Sequence, residues 1–465
     1  MAQAPRFETL TDSMLLPDLL AISPFTQPVR GRVALPGSKS ITNRALLLGA
    51  LSDQEVTLER ALFSEDTELM CAALRQLGFA VTTDPSAHTI SVAGLGGVIP
   101  VRQADLFVGL AGTAARFLTA LCAAASSGVY RLDGVPQMRR RPMKPLIDAL
   151  RALGADIRCT GEEGYFPLEV HARGLVGGAV ELDASESSQL LSALLMIAPL
   201  AQRDVHITLR GTVRQAYVEM TARVMAAFTV GQRVRVTWHG PHALAVAAGQ
   251  PPYHRPSGVY AIEPDASAAS YFLTLPLVTG GQLSLEGAQD ARCGLQGDTE
   301  FADVVRGIGA EVRPTTGGLT VDFTTGASRR AVTARNFKAI SDTFLTLAAL
   351  APLLSGPTRI TGIAHTRKQE TDRVAGMARE LTRLGQRVIE AEDSLEIHPQ
   401  ALRSGETVET YHDHRFAMSF GVLGCHDLHG DGRPWLTIRD PGCCAKTFPH
   451  FFDLLETLRR ASLTL

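Results

Sequence analysis

Residues 39–82 read KSITNRALLLGALSDQEVTLERALFSEDTELMCAALRQLGFAVT, and they hold the unit from which the whole chain is built. Just upstream, Arg32 to Leu35 is a strand and Pro36-Gly37 a turn; Ser38 or Ser40 can then cap a helix from Ile41 to Leu51. Val56 to Leu58 is a short strand. A second helix starts at Asp66-Thr67, carries Leu69, Met70, Leu74 and Leu77 at helical spacing, and stops on Gly78. Phe79 to Thr82 returns as a strand.

The same phrase recurs at intervals of roughly 70–78 residues, too long for a solenoid repeat, so each unit is a small α/β subdomain. Its apolar helices open near Thr42, Gly112, Ser187, Asp265, Ser341 and Asp413. Its partner helices end at Leu77-Gly78, Leu153-Gly154, Val230-Gly231, Ile308-Gly309 and Leu384-Gly385, and the sixth runs from Phe448 to Leu458. Leu190 to Ile197 has no polar face, and a helix apolar all round is buried all round. The partner helix after Pro145 is amphipathic, with Leu146, Ile147, Leu150 and Leu153 inward and Asp148 and Arg151 outward. Each unit therefore places one helix inside and one outside against a sheet, and three units make a domain. The turn-rich stretches Pro36–Ser40 and Glu263-Pro264-Asp265 are the expected crossings. They divide the chain into an inserted domain, 38–263, and a discontinuous one, 1–37 plus 264–465.

Composition narrows the function. Apolar residues make up 45% and charged residues 20% of 465 positions, which suits an ordinary soluble protein with a sizeable core. A net charge of −2 argues against nucleic-acid binding. No apolar run reaches the ~18 residues of a membrane span. Met1 to Pro28 lacks the basic start and apolar stretch of a secretory signal and reads as a short extension ordered in part by Met14-Leu15-Leu16. Seven scattered cysteines point to free thiols in a reducing cytoplasm. His412-x-His414 has no third ligand placed by the sequence, so no metal is expected. Gly37-Ser38-Lys39-Ser40 is not a P-loop, because the glycine and lysine order is broken.

The chemistry-bearing residues sit at element starts: Lys39, Arg44, Arg141, Arg214, Arg367, Lys368, Arg373, Arg415 and Lys446. Helix N-termini attract anions through free N–H groups and the macrodipole. If these starts face one another, a nearly neutral protein acquires a cationic cleft for a substrate with several phosphates or carboxylates. Asp342 and Glu370 are the acid/base candidates, and each could instead be a helix cap. His414 could shuttle a proton or simply support the fold. Cys443-Cys444 beside Lys446 is a candidate reactive thiol, or two inert small residues.

Taken together, these residues resemble the 5-enolpyruvylshikimate-3-phosphate synthase family from about Val33 onward. The motifs are Leu-Pro-Gly-Ser-Lys-Ser-x-x-Asn-Arg-Ala-Leu (35–46), Ala-Gly-Thr-Ala (111–114), Arg-Pro (141–142), Ser-Ser-Gln (187–189), Asp-Ala-Ser-x-Ala-Ser-Tyr (265–271), Glu-Thr-Asp-Arg (370–373), Asp-His-Arg-x-Ala-Met (413–418) and Ala-Lys-Thr-Phe-Pro (445–449). The resemblance implies an α/β fold of two domains, each of three βαβαββ units, with buried helices and outer sheets. It implies transfer of the enolpyruvyl group of phosphoenolpyruvate to the 5-hydroxyl of shikimate 3-phosphate, with release of phosphate. Small-molecule substrates, no cofactor, no nucleic-acid or membrane partner, a monomer and a cytoplasmic location go with it. By resemblance, Lys39, Ser40 and Arg44 bind shikimate 3-phosphate, and Ser187, Ser188 and Gln189 hold its phosphate and ring. Gly112 and Arg141 receive the phosphate of phosphoenolpyruvate, with Arg373, Arg415 and Lys446 completing its site. Asp342 is similar to the family's proton acceptor and Glu370 to its proton donor, with Lys39 and His414 beside them.

Departures from the family pattern fall at the same places. Leu110 stands for the usual Asn, Phe117 for a frequent Pro, His365 for Asn, Gln369 for Lys, and Arg214 for the Ser of the commonest branch. Arg214 is expected to restore the positive charge that Gln369 lacks at the 3-phosphate, with Lys368 as the rival. Two other readings remain: a catalytically impaired homologue kept for binding or regulation, and the sister enzyme that uses UDP-N-acetylglucosamine. The sister lacks the Lys-Ser-x-x-Asn-Arg and Ser-Ser-Gln patterns.

Overall fold

The computed structural model describes residues 16–185, 187–211, 213–232, 235–290 and 293–464. Met14 and Leu15, expected to order the extension, lie outside them. One complete unit shows the pattern. Gln103–Phe107 pairs parallel with Gly128–Asp133, which pairs antiparallel with Leu168–Ala172, which pairs antiparallel with Asp156–Cys159. The helices Gly112–Ala124 and Lys144–Ala152 fill the two crossovers, giving βαβαββ. Five four-stranded sheets and one three-stranded sheet form among the described residues.

The two crossings exchange first strands. Val29–Ala34 precedes the helix Lys39–Leu51 in the chain but pairs parallel with Gly281–Glu286. Val259–Ala261 precedes the helix Ala266–Thr279 but pairs parallel with Glu55–Glu59. The crossing strands are tied side by side: Ser38 N–H donates to Glu263 O, and Asp265 N–H to Pro36 O, both at 2.8 Å. Two hydrophobic cores result, one drawn from Ile41 to Ile262 and the other from Ile22 to Val33 and Ala268 to Leu458. In the helix Ser188–Ile197 every side chain except Gln189 is buried.

Several details differ from the sequence expectation. Ser38, not Ser40, caps the first helix, its Oγ accepting from Ile41 N–H, and Lys39 and Ser40 become helical. The third partner helix, Gln215–Ala227, stops short of Gly231 because the Thr229 hydroxyl captures Ala226 O at 2.7 Å. The fifth apolar helix is broken into Ser341–Thr343, Phe344–Leu350 and Ala351–Leu353, the outer pieces being 3₁₀, the last with Pro352 in its first turn. The last helix is Phe451–Leu463, because Pro449 disfavours helical backbone at Phe448. The sixth unit also lacks its final hairpin. Its sheet is Glu406–Val408, Leu436–Arg439 and, antiparallel to the latter, Leu19–Ala21 from the N-terminal extension.

The glycines that end the partner helices are required by backbone geometry. Gly78, Gly154, Gly309 and Gly385 have φ of 94°, 104°, 129° and 93°. A Cβ on Gly78 would also sit 2.9 Å from the Cβ of Pro100. Gly78→Ala is expected to lower stability by about 1–3 kcal/mol, read as a fall in Tm. Gly174→Ala, at φ 80° with nothing within 4 Å, should lower it less.

Candidate active site

Helix starts from both cores converge on one cleft, whose interior is a cavity of about 60 Å³. The first core contributes Lys39, Ser40 and Arg44 from the helix Lys39–Leu51, Ser187, Ser188 and Gln189 from the start of the next buried helix, and Arg116, Arg141, Arg214 and Tyr217. The second contributes Asp342, Lys368, Gln369, Glu370, Arg373, His414 and Arg415. These residues lie far apart in sequence, and several reach the cleft because their helices begin there: Lys39, Ser188, Arg373 and His414 are each the first residue of one. Contacts span the gap. Lys446 Nζ donates to Asp66 Oδ1 and to Leu110 O, both at 2.9 Å, while Lys39 Nζ, on the same side as Asp66, lies 3.2 Å from its Oδ2. Tyr217 O–H donates to Asp342 Oδ2 at 3.3 Å, and Arg141 stands 3.7 Å from Glu370.

Arg373 organises the acidic groups. Its Nε donates to Asp413 Oδ2 at 2.7 Å, one terminal nitrogen to Glu370 Oε2 at 2.9 Å, and the other to Asp342 Oδ1 at 3.3 Å and to Gln369 Oε1. Arg415 donates to Asp342 Oδ2 at 2.7 Å. Burial works to raise the Asp342 carboxyl, but Arg415, Arg373, Arg214 and Lys39 outweigh it and hold it at about 2. Burial likewise opposes ionisation of Glu370, and Arg373, Arg141, Lys446 and Lys39 hold it well below the usual range. Both carboxylates are therefore charged.

The cationic side has donors to spare. Arg141 Nε, Arg116 Nε and Arg214 Nε are buried without a hydrogen-bond partner among the described residues. Buried unpaired donors of this kind fit an anion. Gly112 makes room for them: a Cβ there would lie 2.6 Å from Arg141 and 2.8 Å from Arg116. Ser187 caps its helix through Gln189 N–H, and Gln189 Oε1 is buried and unpartnered among the described residues. Arg44 is largely engaged by the protein, donating to Thr221 Oγ1, Ser192 Oγ and Ser40 O at 2.8–2.9 Å; burial lowers it to about 10.

The departures noted in the sequence meet here. Arg214 donates to Ser341 Oγ at 3.5 Å, and the same hydroxyl lies 2.8 Å from His365 Nε2. Gln369 gives its amide oxygen to Arg373. Lys368 lines this cleft and the outer one of about 890 Å³ that opens beside it. Leu110 contributes its backbone carbonyl to Lys446, so the loss of an amide side chain there leaves this contact intact. Phe117 packs under the Arg44 guanidinium at 5.4 Å.

Two residues that the sequence left with alternative readings lie at or near the cleft. His414 lines the cleft, where burial, Arg415 and Lys39 push its imidazole well below the ordinary value and favour the neutral ring. Cys444 is buried and its thiol is pushed well up by burial and Cys443, which makes it inert. No group of three or more His, Cys, Asp or Glu that could hold a metal occurs among the described residues. Sequence reasoning also missed contributors. Arg116 lies one turn after Gly112 on the same helix, a spacing that could have exposed it. Asp66 was legible only as a helix start, and nothing in the sequence links it to Lys446.

Comparisons with known proteins agree on one family. The family model for EPSP synthase (3-phosphoshikimate 1-carboxyvinyltransferase) matches residues 25–455. A 3-phosphoshikimate 1-carboxyvinyltransferase from Opitutus terrae is 63% identical over 97% of this chain and all of its own length. That of Nostoc punctiforme is 43% identical over 94% of this chain and all of its own. Among solved structures, an EPSP synthase from Acinetobacter baumannii has a TM-score of 0.75 at 23% identity, covering 95% of this chain and 98% of that one. The enolpyruvyl transferase NikO from Streptomyces tendae has a TM-score of 0.69 at 17% identity, covering 95% and 97%. Both structures share the fold.

The cleft imposes a pH dependence on stability. Burial, with Arg214, pushes His365 down to about 3, whereas an unfolded histidine titrates near 6.5. Between those values the unfolded chain binds the extra proton, so stability falls as pH drops below about 6.5. His365→Gln should flatten that decline by at most about 1.4 kcal/mol per pH unit, measured by urea denaturation from pH 7 to pH 5.

Proposed function

The chain belongs to the EPSP synthase family, and from that membership and the chemistry of its cleft we infer that it is a 3-phosphoshikimate 1-carboxyvinyltransferase. It moves the enolpyruvyl group of phosphoenolpyruvate onto the 5-hydroxyl of shikimate 3-phosphate by addition and elimination, releasing phosphate, in the shikimate pathway. The observation that carries the reading is that Asp342 and Glu370 sit on the two terminal nitrogens of one buried guanidinium, Arg373, within a cation-lined cleft. Such an addition needs one carboxylate to take a proton from a hydroxyl and another carboxyl to protonate the vinyl carbon.

Shikimate 3-phosphate is assigned to Lys39, Ser40, Arg44, Ser187, Ser188, Gln189, Arg214, His365 and Gln369, and phosphoenolpyruvate to Gly112, Arg141, Arg373, Arg415, Lys446 and Lys39. Substrate anions act as replacement counter-ions. Once the phosphate and carboxylate of phosphoenolpyruvate neutralise Arg141, Arg373 and Arg415, the field that holds Glu370 and Asp342 ionised weakens. Both then gain proton affinity, Glu370 as acid and Asp342 as base. Two mutually repelling anions held at bonding distance by the same cations remove much of the remaining barrier. The two bodies, 38–263 and 1–37 plus 264–465, pivot on the paired crossings and close over shikimate 3-phosphate. The protein works in the cytoplasm as a monomer.

Phosphate release from shikimate 3-phosphate and phosphoenolpyruvate tests the activity, and UDP-N-acetylglucosamine as acceptor should give none. Wild-type protein inactive with both acceptors would instead favour the impaired homologue. Arg214→Ala should raise KM for shikimate 3-phosphate by about tenfold or more, the loss of one charged hydrogen bond, with KM for phosphoenolpyruvate little changed. If Lys368→Ala produces that effect and Arg214→Ala does not, the compensating cation is Lys368.

A further inference from the structure

Asp342, Tyr217 and Arg415 line two cavities: the substrate cleft, and a smaller one of about 20 Å³ whose wall includes Ser267, Tyr271 and Asp298. The function inferred above leaves the smaller one unused. Asp298 is only 5% exposed. Its Oδ2 accepts from the Ser267 hydroxyl, while its Oδ1 has no partner among the described residues. On the same wall the Tyr271 hydroxyl lies beside Arg415, and both face the cavity. A cavity of this size has room for about one water, which needs two to four polar partners. The wall supplies them.

We propose that Asp298 is a proton store for the reaction, taking the substrate hydroxyl's proton from Asp342 through a single water in this cavity. The proposal rests on the activity inferred above and adds a residue to it. As the hydroxyl O–H bond breaks, its oxygen bonds to the substituted carbon of phosphoenolpyruvate and the proton reaches Asp342 Oδ2. Asp342 is a poor resting place for it, because Arg415 and Tyr217 both donate to that oxygen. The proton moves through the water to Asp298. When the carbon–oxygen bond to phosphate breaks, it returns by the same route and leaves on the phosphate. The proton added at the vinyl carbon by Glu370, and removed again, is a separate one.

The charges around Asp298 favour this direction of transfer. Burial, then Asp342 and Asp265, raise its carboxyl to about 7 against the opposing Ser267 hydrogen bond and Arg415, while Asp342 is held at about 2. Lys39 and the Tyr217 and Tyr271 hydroxyls complete the titratable groups on the cavity wall. Substrate anions narrow the gap between the two carboxyls, but Arg415 and Tyr217 still donate to Asp342, so a proton shared by the pair rests on Asp298. Ionised Asp298 is the competent form, so turnover should rise with pH through about 7.

The test is the pH profile of kcat at saturating shikimate 3-phosphate and phosphoenolpyruvate. Wild type should show an acid limb near pH 7. Asp298→Asn should lose that limb and run about tenfold or more slower at pH 8, with both KM values within about twofold of wild type. Asp298→Glu, which keeps a carboxyl, should keep a limb with a displaced midpoint. An Asp298→Asn enzyme that retains the wild-type limb overturns the proposal, as does an unmoved midpoint in Asp298→Glu; the latter variant decides the matter if the former does not fold. Wild-type protein without activity would instead remove the functional reading beneath it.

Discussion

Positive charge crowded into a closed cleft is the constraint on which the rest depends. Lys39, Arg44, Arg116, Arg141, Arg214, Arg373, Arg415 and Lys446 meet there, and the acidic groups Asp66, Asp342, Glu370 and Asp413 are fewer. Burying such groups is costly unless each finds a counter-charge or a hydrogen bond. Arg373 shows the arrangement that meets the cost, with three carboxylates around one guanidinium. What remains unpaired on Arg116, Arg141 and Arg214 is a surplus that anions can satisfy.

The repeat architecture makes that crowding possible. Every apolar helix is buried along its length and so must be reached from one end, and the ends that carry Lys39, Gln189, Asp342 and Arg415 point to the same gap. Their free N–H groups add positive potential where the side chains already supply it. The exchanged strands fix the two halves against each other. Because Val29–Ala34 and Val259–Ala261 each belong to the sheet across the crossing, the halves share two adjacent connections rather than a loose linker.

The legible part of the structure was the part set by local pattern. Leu-Gly helix ends demanded positive φ, and all-apolar runs demanded burial; both are properties of short segments. Helix starts could be located for the same reason, and with them Lys39, Asp342, Glu370 and Arg415. What stayed hidden was pairing between distant segments. Nothing local to Asp66 announces Lys446, and nothing local to Leu19–Ala21 announces that it finishes the sixth sheet. The break in the fifth apolar helix and the early stop after Ala227 were missed because single hydroxyl and proline effects overrode a pattern that continues past them.

The departures from the family pattern make physical sense as a set. A lysine at position 369 would place a further cation beside Arg373, Arg214 and Lys39. Glutamine there instead offers an amide oxygen to Arg373, and Arg214 stands on the other half of the cleft, donating to Ser341. His365 fits this exchange only as a neutral ring, and burial with Arg214 keeps it so. Arg214, Ser341 and His365 thus form one hydrogen-bonded row reaching from the first half to the second. The Arg214 guanidinium thereby carries positive charge from the first half of the chain to a hydroxyl of the second.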